Sequence, residues 1–178
     1  MRAALTLRFA NTSLRTAGTV IAGTAVLALS SYIQVPMVPV PMTMQTLAVT
    51  LMGAFLGIRL GTATVLAWLI EAAAGLPVLA GGAAGLAPFV GPTAGFLYVF
   101  PLAAALTGRL GERGWNRRID LAFLSLLLGN ALCLAGGMAW LAPILGAGPA
   151  FAVAVVPFAA GGAVKAAIGA VFLRLKTR

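Results

Sequence analysis

The sequence predicts an all-α membrane protein whose single domain, residues 1–178, crosses the bilayer six times. Of its 178 residues, 61% are hydrophobic and only 8% are charged, and the mean hydropathy is +1.05. A soluble domain of this length would need a larger charged surface to face water. Apolar stretches near the length required to span a bilayer recur along the chain. Together these observations indicate a polytopic membrane protein.

The hydropathy pattern places spans at about 15–33, 44–58, 60–75, 93–109, 120–141 and 158–175. The first span follows three arginines and is long enough to cross. No A-x-A-like cleavage site follows it, so we interpret it as a retained helix and not a signal peptide. A tight turn at Ile58–Leu60 separates the second and third spans. The segment from Ala142 to about Val156 is predicted to connect the last two.

The positions of the cations predict that both termini lie in the cytoplasm. Eleven of the twelve Lys and Arg residues lie before the first span, between the second and third, between the fourth and fifth, or after the last. The other three connections contain none. Because cytoplasmic loops carry an excess of Lys and Arg, this distribution favours six crossings and a cytoplasmic or inner membrane location. The exception is Lys165, which lies within the last span.

Two connections on the predicted outer side have an unusual composition. "QVPMVPVPMT" (34–43) and "GLPVLAGGAAGLAPFVGP" (75–92) are too rich in Pro and Gly for regular helix. They are also too apolar for segments that lie in water. Irregular backbone at membrane depth lines cavities, and interrupted segments indicate transporter binding sites. We therefore expect a ligand cavity near the outer face; two surface caps are the alternative.

Lys165 is the leading candidate for a ligand contact. A charge inside a span costs several kcal/mol and marks a functional site by default. A lysine in an apolar cavity would bind an anion such as a carboxylate. The alternatives are a structural ion pair with Glu71, the one acid predicted inside a span, and a proton or ion relay.

Neutral polar residues supply further candidates. Gln45 begins the second span, Asn130 lies within the fifth, and Thr93 follows the Gly-rich connection. An amide both donates and accepts hydrogen bonds, which suits a cyclic urea or amide. Asn130 could instead join two helices. Four aromatic residues are candidates for an apolar wall or for interface anchors: Trp68, Phe89, Phe96 and Trp140.

The inventory of side chains argues against an enzyme. The chain has no histidine, one cysteine and three acids, so we expect no metal site, no cofactor and no Ser/His/Asp triad. No phosphate-binding G-x-x-x-x-G-K-[ST] motif occurs. No basic stripe is interleaved with aromatics, so nucleic acid is not an expected partner. Solute binding or passage remains, with energy from a partner or an ion gradient if transport is active.

A small-residue face on the first span suggests a helix contact. Gly18 and Ala22 lie four residues apart, and such faces let helices approach closely. The contact could be with a partner subunit or within the chain.

Several motifs together resemble one family. They are P-V-P-x-T-x-Q-T (39–46), G-L-P-V-x-A-G-G (75–82), G-P-T-x-G (91–95) and the "VVPFAAGGAVKAAIGAVF" segment (155–172). The combination resembles the BioY family, the biotin-binding S components of energy-coupling factor (ECF) vitamin transporters, from about Gln34 to Phe172.

The resemblance implies a six-helix S-component bundle that captures biotin from outside. It also implies a transmembrane T component and two cytoplasmic ATPases as partners, with Gly18 and Ala22 where S components meet the T component. Lys165 matches the lysine of the family's P-G-D-x-x-K pattern, and Gln45 matches the glutamine of the first motif. Gly81, Gly82 and Thr93 match the connection that covers the pocket. The Asp of the pattern is Gly162 here, and Glu71 is the acid that could compensate.

Three functional hypotheses remain at this point. The first is a biotin-capturing transporter subunit. The second is an autonomous facilitator or channel for another small organic anion or vitamin, with Lys165 as a selectivity charge. The third is a structural membrane protein in which Lys165 and Glu71 form a buried pair.

Overall fold

The computed structural model describes the backbone of residues 2–176 and the side chains of residues 14–175. Helices dominate, with one short two-stranded sheet and three 3₁₀ turns. The helices are α1 (Arg2–Tyr32), α2 (Gln45–Ala73), α3 (Ala94–Glu112), α4 (Ile119–Leu145), α5 (Ala147–Ala154) and α6 (Val156–Lys176); the strands are β1 (Gln34–Val35) and β2 (Met42–Thr43); the turns are Ala80–Gly82, Ala87–Phe89 and Trp115–Arg117.

Among the described residues, five helical segments are long and apolar enough to cross a membrane. They are Leu14–Tyr32, Gln45–Ala73, Ala94–Glu112, Ile119–Leu145 and Ala147–Leu175. The polytopic membrane protein predicted from composition is therefore confirmed. The segment Gln45–Ala73 contains two of the six predicted spans.

A sharp break at Gly57 divides α2. Its backbone has φ 78° and ψ 175°, a conformation open essentially to glycine alone. A Cβ added to Gly61 would lie 2.7 Å from the carbonyl oxygen of Met52 and 2.8 Å from Cα of Gly53. In a continuous helix residues 52 and 61 would be about 13 Å apart along the axis. The two halves of α2 therefore lie side by side, with the reversal one residue before the predicted turn.

Side chains at the end of α3 and just after it stabilise this reversal. A continuous helix would join the Ile58 N–H to the Ala54 carbonyl. Here the Ile58 N–H donates to Oε1 of Glu112 over 2.9 Å, and the Ala54 carbonyl accepts from Nδ2 of Asn116 over 2.7 Å. Because both backbone groups have partners, the break leaves neither of them unsatisfied.

The two apolar connections are ordered and non-helical for most of their length, as predicted. The first forms a small antiparallel hairpin in which Gln34 pairs with Thr43 and Val35 with Met42. The second contains the 3₁₀ turns Ala80–Gly82 and Ala87–Phe89. The hairpin was not predicted, since two-residue strands are too short to show an alternating pattern.

The predicted connection from Ala142 to about Val156 is mostly helical, which the sequence did not indicate. Helix α4 continues to Leu145, and α5 occupies most of the remaining segment. Gly146, with φ 88°, separates the two helices. Pro149 lies in the first turn of α5, where a missing N–H costs little, so it does not prevent helix formation.

Candidate functional site

A cavity of about 240 Å³ lies where the two connections meet α2, α3, α4 and α6. Its walls are mainly apolar, with a small number of polar groups, which is the usual form of a small-molecule site. The polar side chains that line it include Thr43, Gln45, Thr46, Thr93, Asn130 and Lys165. It therefore contains four of the seven residues predicted to contact a ligand.

Lys165 brings a positive charge to the cavity wall from the middle of α6. Its side chain is only 9% exposed. The ammonium donates to the Thr43 carbonyl and, over 3.4 Å, to the hydroxyl of Thr46. An ammonium has three N–H donors, and the described residues engage two of them. One donor therefore remains for a ligand.

Gln45 is fixed by its neighbours at the start of α2. Its Oε1 accepts a hydrogen bond from the Thr43 hydroxyl over 3.0 Å, and its Nε2 donates to the hydroxyl of Ser31 over 2.9 Å. These contacts join α1, β2 and α2. Because Thr43 also supplies the carbonyl that binds Lys165, Gln45 orients the lysine's partner.

Asn130 borders the cavity from α4, and Thr93 borders it from the position just before α3. Nδ2 of Asn130 donates to the Leu126 carbonyl one turn earlier in α4, over 3.1 Å, so the amide orientation is set within its own helix. Thr93 precedes α3. Asn130 thus does not join two helices through this hydrogen bond, and it lines the cavity beside Lys165.

Aromatic rings form much of the apolar wall. Phe96, Phe100 and Phe158 line the cavity, and the rings of Phe96 and Phe158 lie 6.2 Å apart. Of the four aromatic candidates, Phe96 is therefore in the wall. Trp68 is fully buried and stacks on Phe100 from behind.

Hydrogen bonds from Trp140 and from Tyr98 anchor the Gly-rich connection, and the fourth aromatic candidate, Phe89, takes part through its backbone carbonyl. Nε1 of Trp140 donates to the Gly91 carbonyl over 3.0 Å. The Tyr98 hydroxyl donates to the Phe89 carbonyl over 2.8 Å. These bonds attach the part of the connection that covers the cavity to α4 and α3.

Three predicted ligand contacts lie outside the cavity lining. Glu71 is half-buried near the end of α2 and, among the described residues, forms no ion pair with Lys165. The proposed buried pair is therefore absent. Gly81 and Gly82 have φ of 65° and 78° and form the turn between Ala80 and Ala83, which do line the cavity. Gly81 and Gly82 therefore allow the backbone to turn and do not themselves line the cavity.

Sequence reasoning missed Thr43 and Thr46 as partners of Lys165. Both belong to the P-V-P-x-T-x-Q-T motif, in which only Gln45 was singled out. The signal for Thr46 was its hydroxyl next to that glutamine, whereas Thr43 binds the lysine through its backbone carbonyl. Phe100 and Phe158 were also missed, because nothing in the sequence separates a cavity-lining phenylalanine from a core one.

Gly18 and Ala22 lie on an exposed face of α1, away from the cavity. Nothing lies within 4 Å of the position that a Cβ on Gly18 would occupy. Packing within the chain therefore does not explain Gly18, and its role in a partner contact stays a prediction.

A sequence profile described as the BioY family matches residues 3–178. The chain belongs to the BioY family. A relative from Pyrococcus horikoshii, named as a probable biotin transporter BioY, is 37% identical over 143 residues, which cover 80% of this chain and 84% of the relative. A biotin transporter BioY from Rhizobium etli is 40% identical over 146 residues, covering 77% and 78%.

The fold of this BioY family member is also similar to that of a solved structure. It is described as the S-component for biotin from an ECF-type ABC transporter. The two folds superpose with a TM-score of 0.81 over 94% of each chain, at 25% sequence identity. The resemblance stated from the motifs is therefore confirmed.

Proposed function

We propose that this chain captures biotin and is the substrate-binding membrane subunit of an ECF-type transporter. The observation that carries the proposal is the cavity, which offers one buried cation in an apolar, aromatic-walled enclosure. Biotin has one carboxylate for Lys165 and an apolar bicycle for the phenylalanine wall. Its ureido group can donate to and accept from an amide such as Asn130. The names of the relatives support this ligand over other small carboxylates.

The start of α2 supports the binding of an anion beside Lys165. Gln45 and Thr46, in its first turn, line the cavity. The N-terminal end of a helix carries a partial positive charge, which favours a carboxylate. The lysine and the helix end therefore act on the same ligand group.

The proposal includes six crossings with both termini in the cytoplasm. The reversal at Gly57 supports counting the two halves of α2 as separate spans, and the arginine distribution supports the orientation. Under this topology the cavity and its two covering connections face outward. Biotin would then enter from the outside.

We also propose that the chain works with a transmembrane T component and two cytoplasmic ATPases. The solved structure's description as a component of an ECF-type ABC transporter supports this. The exposed small-residue face of α1, at Gly18 and Ala22, is the proposed contact for the T component.

The test is equilibrium binding of radiolabelled biotin to the purified full-length chain in detergent. We expect saturable binding of one biotin per chain that unlabelled biotin displaces. Pentanoate, which has a carboxylate and no bicyclic ring, should not displace it at the same concentration. Absence of saturable binding by protein with a cooperative melting transition would contradict the proposal.

A further inference from the structure

The cavity wall carries one formal charge. Among the described residues that line it, Lys165 is the one with an ionisable side chain, and none carries a carboxylate. Its two hydrogen-bond partners, the Thr43 carbonyl and the Thr46 hydroxyl, are neutral. Glu71 is not part of the lining. The lysine is therefore buried without an acidic counterpart.

Gly162 lies one turn before Lys165 and also lines the cavity. Residues three apart on a helix are neighbours on one face. A Cβ added at Gly162 would lie 3.8 Å from Cβ of Asn130 and 3.9 Å from its Oδ1, which are ordinary contact distances. Position 162 therefore has room for a larger side chain. With glycine there, no side chain and no charge lies beside the lysine at this position.

We infer that Gly162 makes the cavity selective for the free carboxylate of biotin over neutral derivatives in which that carboxyl group is an amide. The inference rests on the proposed function. A buried ammonium without a counter-charge is costly. None of the described residues that line the cavity supplies that charge, so it has to come from the ligand. A neutral derivative displaces water from the lysine and leaves its charge uncompensated. An acid at position 162 would supply the charge from the protein and remove the requirement.

The experiment compares the Kd of biotin with the Kd of its primary amide, biotinamide, in the wild type and in two variants. Gly162→Asp adds a carboxylate to the cavity, and Gly162→Asn adds a side chain of nearly the same size without charge. We expect the wild type to favour biotin by at least about 30-fold, which corresponds to about 2 kcal/mol for a desolvated charge pair. We expect Gly162→Asp to bring the two Kd values within a few-fold of each other. Gly162→Asn should keep most of the preference.

Each outcome bears on one claim. Wild-type protein that binds biotin and biotinamide equally would overturn the inference and leave the proposed function intact. Protein that binds neither would contradict the proposed function itself. A loss of preference in Gly162→Asn as large as in Gly162→Asp would show that space decides, not charge. If Gly162→Asp lacks a melting transition, Asn130→Asp places a carboxylate in the same cavity, and an undiminished preference there would overturn the inference.

Discussion

The side-by-side packing of the two halves of α2 can be tested with one methyl group. In Gly61→Ala, the new Cβ would lie 2.7 Å from the Met52 carbonyl oxygen and 2.8 Å from Cα of Gly53. Both are backbone atoms, so no side-chain rotation relieves the overlap. Overpacking of this kind costs about 1–3 kcal/mol, and the rigid neighbours place this site near the upper end.

The gain in helix propensity from glycine to alanine, about 1 kcal/mol, offsets part of that cost. The net destabilisation is then about 2 kcal/mol. For a chain of this size, about 2–4 °C of melting temperature is lost per kcal/mol. We therefore expect the Tm of Gly61→Ala to fall by about 4–8 °C.

The assay is thermal unfolding of purified protein in detergent, with Gly18→Ala as the matched control. Gly18 lies in α1 with open space at its Cβ position, so the same change there should leave the Tm equal or slightly higher. If α2 were one straight helix, alanine at position 61 would stabilise it in the same way. A Tm for Gly61→Ala at or above that of the wild type would therefore refute the reversal.

Two further predictions concern the covering connection and the topology. Trp140→Phe keeps an aromatic ring but removes the 3.0 Å hydrogen bond to the Gly91 carbonyl. A net loss of about 1 kcal/mol should speed biotin dissociation by about fivefold in a chase experiment. An unchanged off-rate would contradict the anchoring role of Trp140. In cells, an impermeant maleimide should label Leu86→Cys from outside and Arg59→Cys only after permeabilisation, because the proposed six crossings place these exposed residues on opposite sides. The wild type is the background control, since Cys133 is fully buried; labelling of both variants from one side would contradict the topology.

Hydropathy predicted most of the helix ends to within a few residues, because each span must match the bilayer and each break carries Gly, Pro or Arg. The sequence pattern also predicted the reversal in α2 to within one residue of Gly57, although the helix is apolar both before and after the break. Pattern alone did not find α5, whose glycine and proline residues resemble those of a connection. Proline in the first turn of a helix and proline in a loop give the same local signal.

Site residues could be predicted from the sequence where a polar side chain lies in an apolar span, because burying such a side chain is costly. Lys165 and Asn130 stood out because each is a polar residue in an apolar span, and both line the cavity. Glu71 had the same signal and lies elsewhere, since sequence does not give the direction in which a helix face points. Thr43 contributes its backbone carbonyl to Lys165, and a backbone contact leaves no trace in residue type.

The central claim is that the charge of Lys165 holds the carboxylate of the ligand, and its most direct test is a biotin titration of the wild type beside Lys165→Met. Methionine keeps the length and apolar stem of the side chain and removes the ammonium. Removing a buried ion-pair partner in a binding site costs about 2 kcal/mol or more, so we expect biotin affinity to fall by at least about 30-fold. The Tm without ligand should be retained or raised, because a buried unpaired charge is lost. A variant that melts like the wild type and binds biotin equally well would contradict the account.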